Sequence, residues 1–138
     1  MSDWFEGDYD SPYMLLVDNV KKDQRISMSK KEEALFGIDK LNIKRSNIPA
    51  VTHVDYSARI QTVHRRTNPK YHALITKFKE KTGCSLLVNT SFNVRGEPIV
   101  CSPEDAFKCF MGNDLELLII GNCILRKDQQ YYLVNDLK

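Results

Sequence analysis

An abrupt change from apolar to polar residues constrains the fold of this chain more than any other feature. An apolar run ends at Leu86-Leu87-Val88, and the chain then turns polar at Asn89-Thr90-Ser91-Phe92-Asn93. This pattern predicts a buried strand whose carboxyl end carries hydrogen-bonding side chains. In open α/β sheets, ligands bind at that end of the strands. The polar stretch is therefore either a ligand-binding loop or an ordinary turn whose side chains satisfy one another.

Length and composition limit the possible classes of protein. A chain of 138 residues suits one domain, to which we assign residues 1–138, with residues 21–47 as a surface excursion of lower order. The hydrophobic content of 42% and the charged content of 28% are ordinary for a soluble globular protein. A net charge of +2 with dispersed Lys and Arg gives no basis for nucleic-acid binding. No apolar stretch approaches the ~18 residues of a membrane span.

The cysteines favour a reducing compartment. None of them forms a CxxC pair, and three lie inside apolar runs. This placement favours reduced core thiols over disulfides or a metal site, so we expect a cytoplasmic protein. The cysteines are Cys84, Cys101, Cys109 and Cys123.

Two stretches carry complete start and stop signals for a helix. Asn68 is a suitable N-cap before Pro69, and Gly83 is a suitable left-handed terminator. Ser102 has the same capping role before a second proline, and that helix is expected to end at Gly112. The residues that we expect to face the core are Tyr71, Leu74, Ile75 and Phe78 in the first helix and Phe107, Phe110 and Met111 in the second.

Apolar and β-branched runs predict the strands. Gly121-Asn122 is typical of a hairpin turn between two of them. Ser29, with Glu32 three residues later, predicts a short helical segment that ends before Gly37. Together, the predicted helices and strands indicate an α/β (α+β) domain in which helices pack on a twisted mixed sheet. The predicted strands are residues 13–17, 48–63 (interrupted near 55–58), 84–88, 115–120, 123–125 and 131–134.

Arginines and short polar side chains suggest an anion site. Arg59 and Arg95 stand beside small or polar residues where apolar strands are interrupted, so each guanidinium can reach phosphate bidentately. Asn89, Ser91 and Asn93 alternate, and on an extended segment their side chains share one face. This set favours a nucleotide or phosphate cradle over a catalytic triad. It matches neither a P-loop nor a Rossmann fingerprint.

A simpler interpretation of the same residues stays open. Residues 89–96 can form a satisfied turn, and Arg59 can pair with Asp55 instead of with a ligand. Arg65 and Arg66 are further candidate anion contacts, of less interest than Arg59 and Arg95.

Acid–base and metal chemistry have less support. His53 can form an acid–base unit with Asp55, but a strand histidine of this kind is more often structural. His64 and His72 are expected at the surface. Ser91 lacks the GxSxG elbow of a nucleophile, and no spaced ligand set supports a metal. We therefore assign no catalytic residue and no metal ligand.

Four ordered segments of the chain resemble one family. Residues 48–63, 82–83, 89–100 and 103–106 are closely similar, in this order, to the carboxy-terminal region of NodU-type O-carbamoyltransferases, which act in nodulation-factor and antibiotic biosynthesis. Ser11-Pro12-Tyr13-Met14 resembles the entry into that region. The resemblance covers residues 11–127.

The resemblance implies one part of a two-domain enzyme. Its partner would be an amino-terminal domain of actin-like ATPase fold, which holds a metal and transfers the carbamoyl group to a hydroxyl. The carboxy-terminal domain would have a YrdC/Sua-like fold and use ATP, with Mg²⁺, and carbamoyl phosphate to make carbamoyl adenylate. Ser91 and Asn93 match the Ser-x-Asn nucleotide contact of that fold, Asn89 lies in the same motif, and Arg59 matches a phosphate-contacting Ser-Ala-Arg arginine. Arg95 is added from chemistry and position alone.

The chain also departs from the family pattern. The family's Lys-x-Arg-Glu and Phe-Arg-Pro-Phe elements precede the entry segment, and no counterpart lies before Ser11. We therefore expect an amino-terminally truncated piece, expressed by itself or encoded as half of a split gene, that does not complete the reaction alone. Losing two charge-assisted contacts would weaken nucleotide binding by about 10² to 10⁴. Within a linker at residues 1–12, Trp4-Phe5 would be the exposed remnant of an interface.

Two other classes of function stay open. The domain can be a nucleotide-binding or docking module without catalysis, which pyrophosphate exchange in a reconstituted enzyme would distinguish. It can also associate with RNA, as YrdC/Sua proteins serve tRNA threonylcarbamoylation. The nearly neutral charge and the lack of a basic stripe argue against RNA.

Overall fold

The computed structural model describes residues 1–130, which divide into two compact units. The first unit is Met1–Val88 and the second begins at Asn89. Our assignment of the whole chain to one domain stays a prediction. The elements of the first unit are β1 (Leu16–Asn19), α1 (Lys30–Glu33), α2 (Gly37–Leu41), β2 (Ser57–Ile60) and α3 (Pro69–Thr82), and those of the second are α4 (Pro103–Met111), β3 (Leu117–Ile120) and β4 (Cys123–Arg126).

An antiparallel pair of strands carries the core of the first unit. β1 pairs with β2 in a register that sets Leu16 opposite Ile60. Because side chains alternate along a strand, Ala58 and Ile60 point to the same side, where they form a buried cluster with Phe5 and Val20. Partly buried residues that pack on this cluster are Met1, Trp4, Ile48 and Leu86.

The amino-terminal aromatic residues belong to this core. Phe5 is only 5% exposed and forms a β-bridge with Val20. The Trp4 indole Nε1 donates a hydrogen bond to Ser85 Oγ at 3.1 Å. The prediction that Trp4-Phe5 is an exposed interface remnant was therefore wrong, because the first unit itself supplies the apolar partners.

The strands are shorter and more local than the sequence predicts. β1 begins at Leu16 rather than at Tyr13, and Tyr13 and Leu15 are each 79% exposed. β2 keeps only a middle part of the strand predicted through residues 48–63, and it begins inside the predicted interruption, because the residues before it turn and Tyr56 takes a positive φ of 65°. Residues 84–88 form no strand.

The predicted mixed sheet is therefore wrong for the described part of the chain, which has two separate two-stranded antiparallel sheets. The coarser prediction of a small domain that mixes helices and strands is confirmed. The predicted strand at residues 131–134 lies outside the described residues.

Helix α3 forms where its end signals predict. Asn68 Oδ1 accepts a hydrogen bond from the Tyr71 backbone N–H at 3.2 Å, and Gly83 ends the helix in the left-handed region at φ 78°. The predicted core-facing stripe is wrong for this unit, since no residue of the helix is buried and Leu74 is 56% exposed. Local capping is thus sufficient to define the helix without deep packing.

A buried arginine organises the segment after α2. The guanidinium of Arg45, 2% exposed, donates to the carbonyl oxygens of Lys40 and Leu41 at the end of α2, and to that of Thr52 at 3.1 Å. A cation suits the carboxyl end of a helix, where carbonyl groups lack partners. The polar composition of residues 21–47 gave no sign that this segment ends in a buried residue.

The short helices α1 and α2 agree only in part with the start and stop signals predicted from the sequence. The predicted capping box at α1 is confirmed, since Ser29 Oγ accepts from Glu32 N while the Glu32 carboxylate accepts from Ser29 N. α1 ends at Glu33, and a second helix begins at Gly37, the residue that we expected to stop the first.

The second unit is a helix packed on a hairpin. Phe110 of α4 is completely buried and clusters with Ala106 and with Leu118 of β3. β3 and β4 pair around Gly121, whose φ of 58° fits the predicted hairpin turn. The predicted helix and hairpin are both confirmed. Partly buried residues on this cluster are Phe92, Val100, Phe107, Met111, Ile120 and Leu125.

The cap of α4 makes the stability of this unit sensitive to acid. Hydrogen bonds from the Ser102 side chain and from the Cys101 and Ser102 backbone lower the pKa of Asp105. A depressed pKa in the folded state stabilises the fold above the ordinary value of 3.8, and this contribution is lost as the pH falls through the folded value. We expect Asp105→Asn to lower the melting temperature near neutral pH and to flatten its decline below about pH 4.

Thermal melts followed by circular dichroism over this pH range test the effect. Glu104→Gln is the matched control, because Glu104 lies in the same first turn without a hydrogen bond to Ser102. Parallel acid profiles for Asp105→Asn and the wild-type chain would contradict the prediction.

Candidate functional site

Strand β2 presents a polar face opposite its apolar one. Ala58 and Ile60 enter the core, so Ser57 and Arg59 lie on the other side of the strand. Arg59 is exposed, and its side chain makes no hydrogen bond or ion pair within residues 1–130. Its guanidinium is therefore available to an anion, as the sequence predicts for a phosphate contact.

A hydrogen-bonded chain joins three residues at the start of β2. His53 Nδ1 lies 2.9 Å from Ser57 Oγ, and Ser57 Oγ donates to Asp55 Oδ1 at 2.6 Å. The same carboxylate oxygen accepts the Ser57 backbone N–H at 3.0 Å. Hydrogen bonds from the Ser57 side chain and backbone, with a smaller contribution from His53, lower the pKa of Asp55.

The hydrogen bonds among His53, Ser57 and Asp55 correct two expectations from the sequence. The Asp55 carboxylate is engaged by Ser57, so the alternative in which Arg59 pairs with Asp55 is wrong. His53 and Asp55 are linked through Ser57 rather than directly. Sequence reasoning missed the role of Ser57, because the turn that brings its hydroxyl between the two residues could not be read from an alternating strand pattern.

The polar loop after Val88 closes partly on itself. Asn93 Nδ2 donates to the carbonyl oxygens of Val94 at 3.3 Å and of Glu97 at 2.9 Å. The Glu97 N–H donates to the Val94 carbonyl at 3.0 Å, and Gly96 has a φ of 92°. The Asn93 amide thus braces a turn, in line with the simpler of the two interpretations for this residue.

The other predicted residues of the loop lie at the surface. Ser91 and Arg95 are exposed, and neither makes a hydrogen bond or ion pair with the described part of the chain. Asn89 is exposed and has interactions of its own. Arg59 belongs to the first unit, whereas these three residues and Asn93 belong to the second, so their common site stays a prediction.

A cleft of about 470 Å³ in the first unit was not predicted. It is lined by the acidic amino-terminal segment, by the chain after β2 and by α3. His64 Nε2 lies 3.0 Å from Asp10 Oδ1, and both His64 and His72 are half-buried residues that line this cleft. Sequence reading could not find this contact because it joins residues far apart in the chain.

Metal and redox chemistry find little support in the first 130 residues. They contain no group of three or more His, Cys, Asp or Glu side chains arranged to hold a metal ion. All four cysteines are free thiols. Of the three that lie in apolar runs, Cys109 is buried as predicted and Cys84 is half-buried, but the prediction of a core thiol was wrong for the exposed Cys123.

Comparison with known proteins identifies the family. The family model described as "Carbamoyltransferase C-terminus" matches residues 1–127. The chain belongs to the carbamoyltransferase C-terminus family. This confirms the resemblance stated from the sequence motifs, and it extends the matched region to the first residue.

Relatives of this family member include named carbamoyltransferases. The chain is 30% identical over 118 residues to a 3'-hydroxymethylcephem-O-carbamoyltransferase of Amycolatopsis lactamdurans, covering 86% of the chain and 18% of that protein. It is 48% identical over 84 residues to the nodulation protein NolO of Bradyrhizobium diazoefficiens, covering 61% of the chain and 15% of that protein. It is 55% identical over 130 residues to an uncharacterized protein of Synechocystis sp., covering 94% of the chain and 21% of the relative.

The chain therefore spans about a fifth or less of the length of these relatives. None of the helices in the described residues is long and apolar enough to cross a membrane.

Proposed function

We propose that this family member supplies the nucleotide-activating part of an ATP-dependent O-carbamoyltransferase. In this role it binds ATP and carbamoyl phosphate and forms carbamoyl adenylate. A partner domain of actin-like fold, on the same or a separate chain, then transfers the carbamoyl group to a hydroxyl. The observation that carries the proposal is Arg59, an exposed arginine whose guanidinium has no protein partner in the described residues. The cephem carbamoyltransferase among the relatives supports the reaction class.

The chemistry needs charge neutralisation more than a nucleophile. The only phosphorus atom in carbamoyl adenylate is the α-phosphorus of ATP, so carbamoyl phosphate must lose its own phosphate. Water first splits carbamoyl phosphate into carbamate and phosphate. A carbamate oxygen then attacks that phosphorus, and the bond to the β-phosphate oxygen breaks to release pyrophosphate. Arg59 would neutralise phosphate charge, while Asn89, Ser91, Asn93 and Arg95 would orient ribose and phosphate oxygens.

Mg²⁺ would enter as the ATP complex rather than as a resident ion. The described residues hold no cluster of three metal-binding side chains, so we assign no protein ligand to it. The metal of the transfer reaction would belong to the partner domain. We also propose a YrdC-like arrangement for this region and a cytoplasmic location, to which the four free thiols are suited.

The effect of Arg59→Ala tests the proposal. In the enzyme reassembled with its transfer domain, we expect this variant to lower carbamoyl-phosphate-dependent ATP–pyrophosphate exchange by about 10- to 150-fold, the value of one charge-assisted contact. Arg126→Ala is the matched control, since Arg126 is an exposed arginine that pairs with Asp128. Equal exchange by Arg59→Ala and Arg126→Ala would contradict the proposal.

A second candidate is a nucleotide-binding or docking module without catalysis. The self-closing turn around Asn93 favours it, because a side chain that braces its own loop has less capacity for a ligand. In that case exchange would depend on the partner domain alone, and Arg59→Ala would alter nucleotide affinity without altering the maximal exchange rate.

A further inference from the structure

We propose that His53 is the proton-accepting side chain of the Arg59 site, and that Ser57 and Asp55 hold its imidazole with the hydrogen on Nδ1 and the lone pair on Nε2. The inference rests on the proposed role of Arg59 as a phosphate contact. It assigns a chemical role to a residue for which the sequence favoured a structural role.

The directions of the hydrogen bonds follow from the Asp55 carboxylate. Its pKa is lowered, so it is ionised near neutral pH and can only accept hydrogen bonds. The Ser57 hydroxyl hydrogen must therefore lie on the 2.6 Å contact to Asp55 Oδ1. Ser57 Oγ has only lone pairs left for the ring of His53, 2.9 Å away, so Nδ1 must carry the hydrogen in that contact.

The opposite ring nitrogen is then a base. The hydrogen bond made by one imidazole nitrogen fixes the tautomer and so sets the role of the other nitrogen. His53 is exposed, and its Nε2 has no hydrogen-bond partner in the described part of the chain. A neutral, oriented imidazole with an open Nε2 can accept a proton from a bound molecule.

Backbone contacts hold the ring at the polar face of β2. The His53 N–H donates to the Ser57 carbonyl at 2.8 Å, and the Tyr56 N–H donates to the His53 carbonyl at 3.1 Å. Tyr56 adopts a positive φ of 65°, which is uncommon for a residue other than glycine. Arg59 is two residues beyond Ser57 on the same side of the strand, about 7 Å along it. A phosphate held by Arg59 would therefore lie within reach of the ring.

The step that this arrangement serves is the attack of water on carbamoyl phosphate. The water oxygen forms a bond to phosphorus while His53 Nε2 takes one water proton. The bond from phosphorus to the carbamoyl oxygen breaks, and carbamate and phosphate leave. The proton on the ring returns to solvent after the products depart.

The tautomer can be measured in this chain without any ligand. Long-range proton–nitrogen NMR spectra of the nitrogen-15-labelled chain, at a pH where the imidazoles are neutral, distinguish the two nitrogens of each histidine. We expect hydrogen on Nδ1 and a lone pair on Nε2 for His53, and loss of this preference in Ser57→Ala. A wild-type His53 with its hydrogen on Nε2 would overturn the inference, whatever Ser57→Ala does. The spectra of His64 and His72 report whether the variant is folded.

Kinetics in the enzyme reassembled with its transfer domain separate this inference from the proposed function. We expect His53→Ala to lower the maximal rate of phosphate release from carbamoyl phosphate by about 10² to 10⁴ while changing KM little. Val54→Ala, an exposed neighbour, is the control. If Arg59→Ala impairs the enzyme and His53→Ala does not, only the role of His53 is overturned. If neither variant impairs it, the proposed function fails as well.

Discussion

Phe110→Ala is expected to destabilise the second unit by about 3–5 kcal/mol, the cost of a large cavity in a core. Phe110 is completely buried, and it is the central side chain between α4 and the β3–β4 hairpin. Lys127 Nζ also lies 5.1 Å from the centre of its ring, so truncation removes a cation–π contact together with the apolar ones. In the described part of this unit, the other buried apolar side chains are Ala106, Cys109 and Leu118, all of them smaller than Phe110.

Urea unfolding followed by far-ultraviolet circular dichroism measures this change. Phe36→Ala is the matched control, because Phe36 is 93% exposed and its removal should change the free energy of unfolding by less than about 0.5 kcal/mol. If the two alanine variants unfolded at the same urea concentration, Phe110 would not be the core residue described above.

Arg45→Ala is expected to cost the first unit about 3 kcal/mol, since it removes the hydrogen bonds of an almost fully buried guanidinium. Three backbone carbonyls, those of Lys40, Leu41 and Thr52, accept from this one guanidinium. The side chain is also almost fully buried, so its methylene groups contribute packing. Arg45→Lys should recover part of the loss, because an ammonium keeps the charge but not the planar set of donors.

The single tryptophan makes this measurement specific to the first unit. Trp4 packs on the core of that unit, so its fluorescence during urea unfolding follows the unit directly. Arg66→Ala, which removes an exposed arginine, is the control. An Arg45→Ala chain as stable as the Arg66→Ala chain would show that water replaces the guanidinium at no cost.

Capping residues and turn glycines, which act on backbone groups only a few residues away, were identified correctly from the sequence. Asn68 and Gly83 define α3, Ser102 defines the start of α4, and Gly121 sets the hairpin, because each acts on backbone groups a few residues away. Strand predictions failed where they depended on a distant partner. The apolar run before Asn89 finds no pairing strand in the described residues, and a β-strand exists only by pairing.

The candidate site, like the fold, was predictable only where a local pattern determines the position of a side chain. The availability of Arg59 follows from alternation along β2, which sends its neighbours Ala58 and Ile60 into the core. The link between His53 and Asp55 through Ser57 depends on a turn with a positive φ at Tyr56. No local pattern predicts such a conformation for a tyrosine, so the network became visible only in three dimensions.

The central claim is that this chain contributes Arg59 to a nucleotide site, and calorimetric titration of ATP at millimolar concentration tests it most directly. We predict weak binding by the wild-type chain, at least about tenfold weaker binding by Arg59→Ala, and unchanged binding by Arg126→Ala. An Arg59→Ala chain that binds ATP as well as the wild type, or a wild-type chain that gives no binding heat, would contradict the claim.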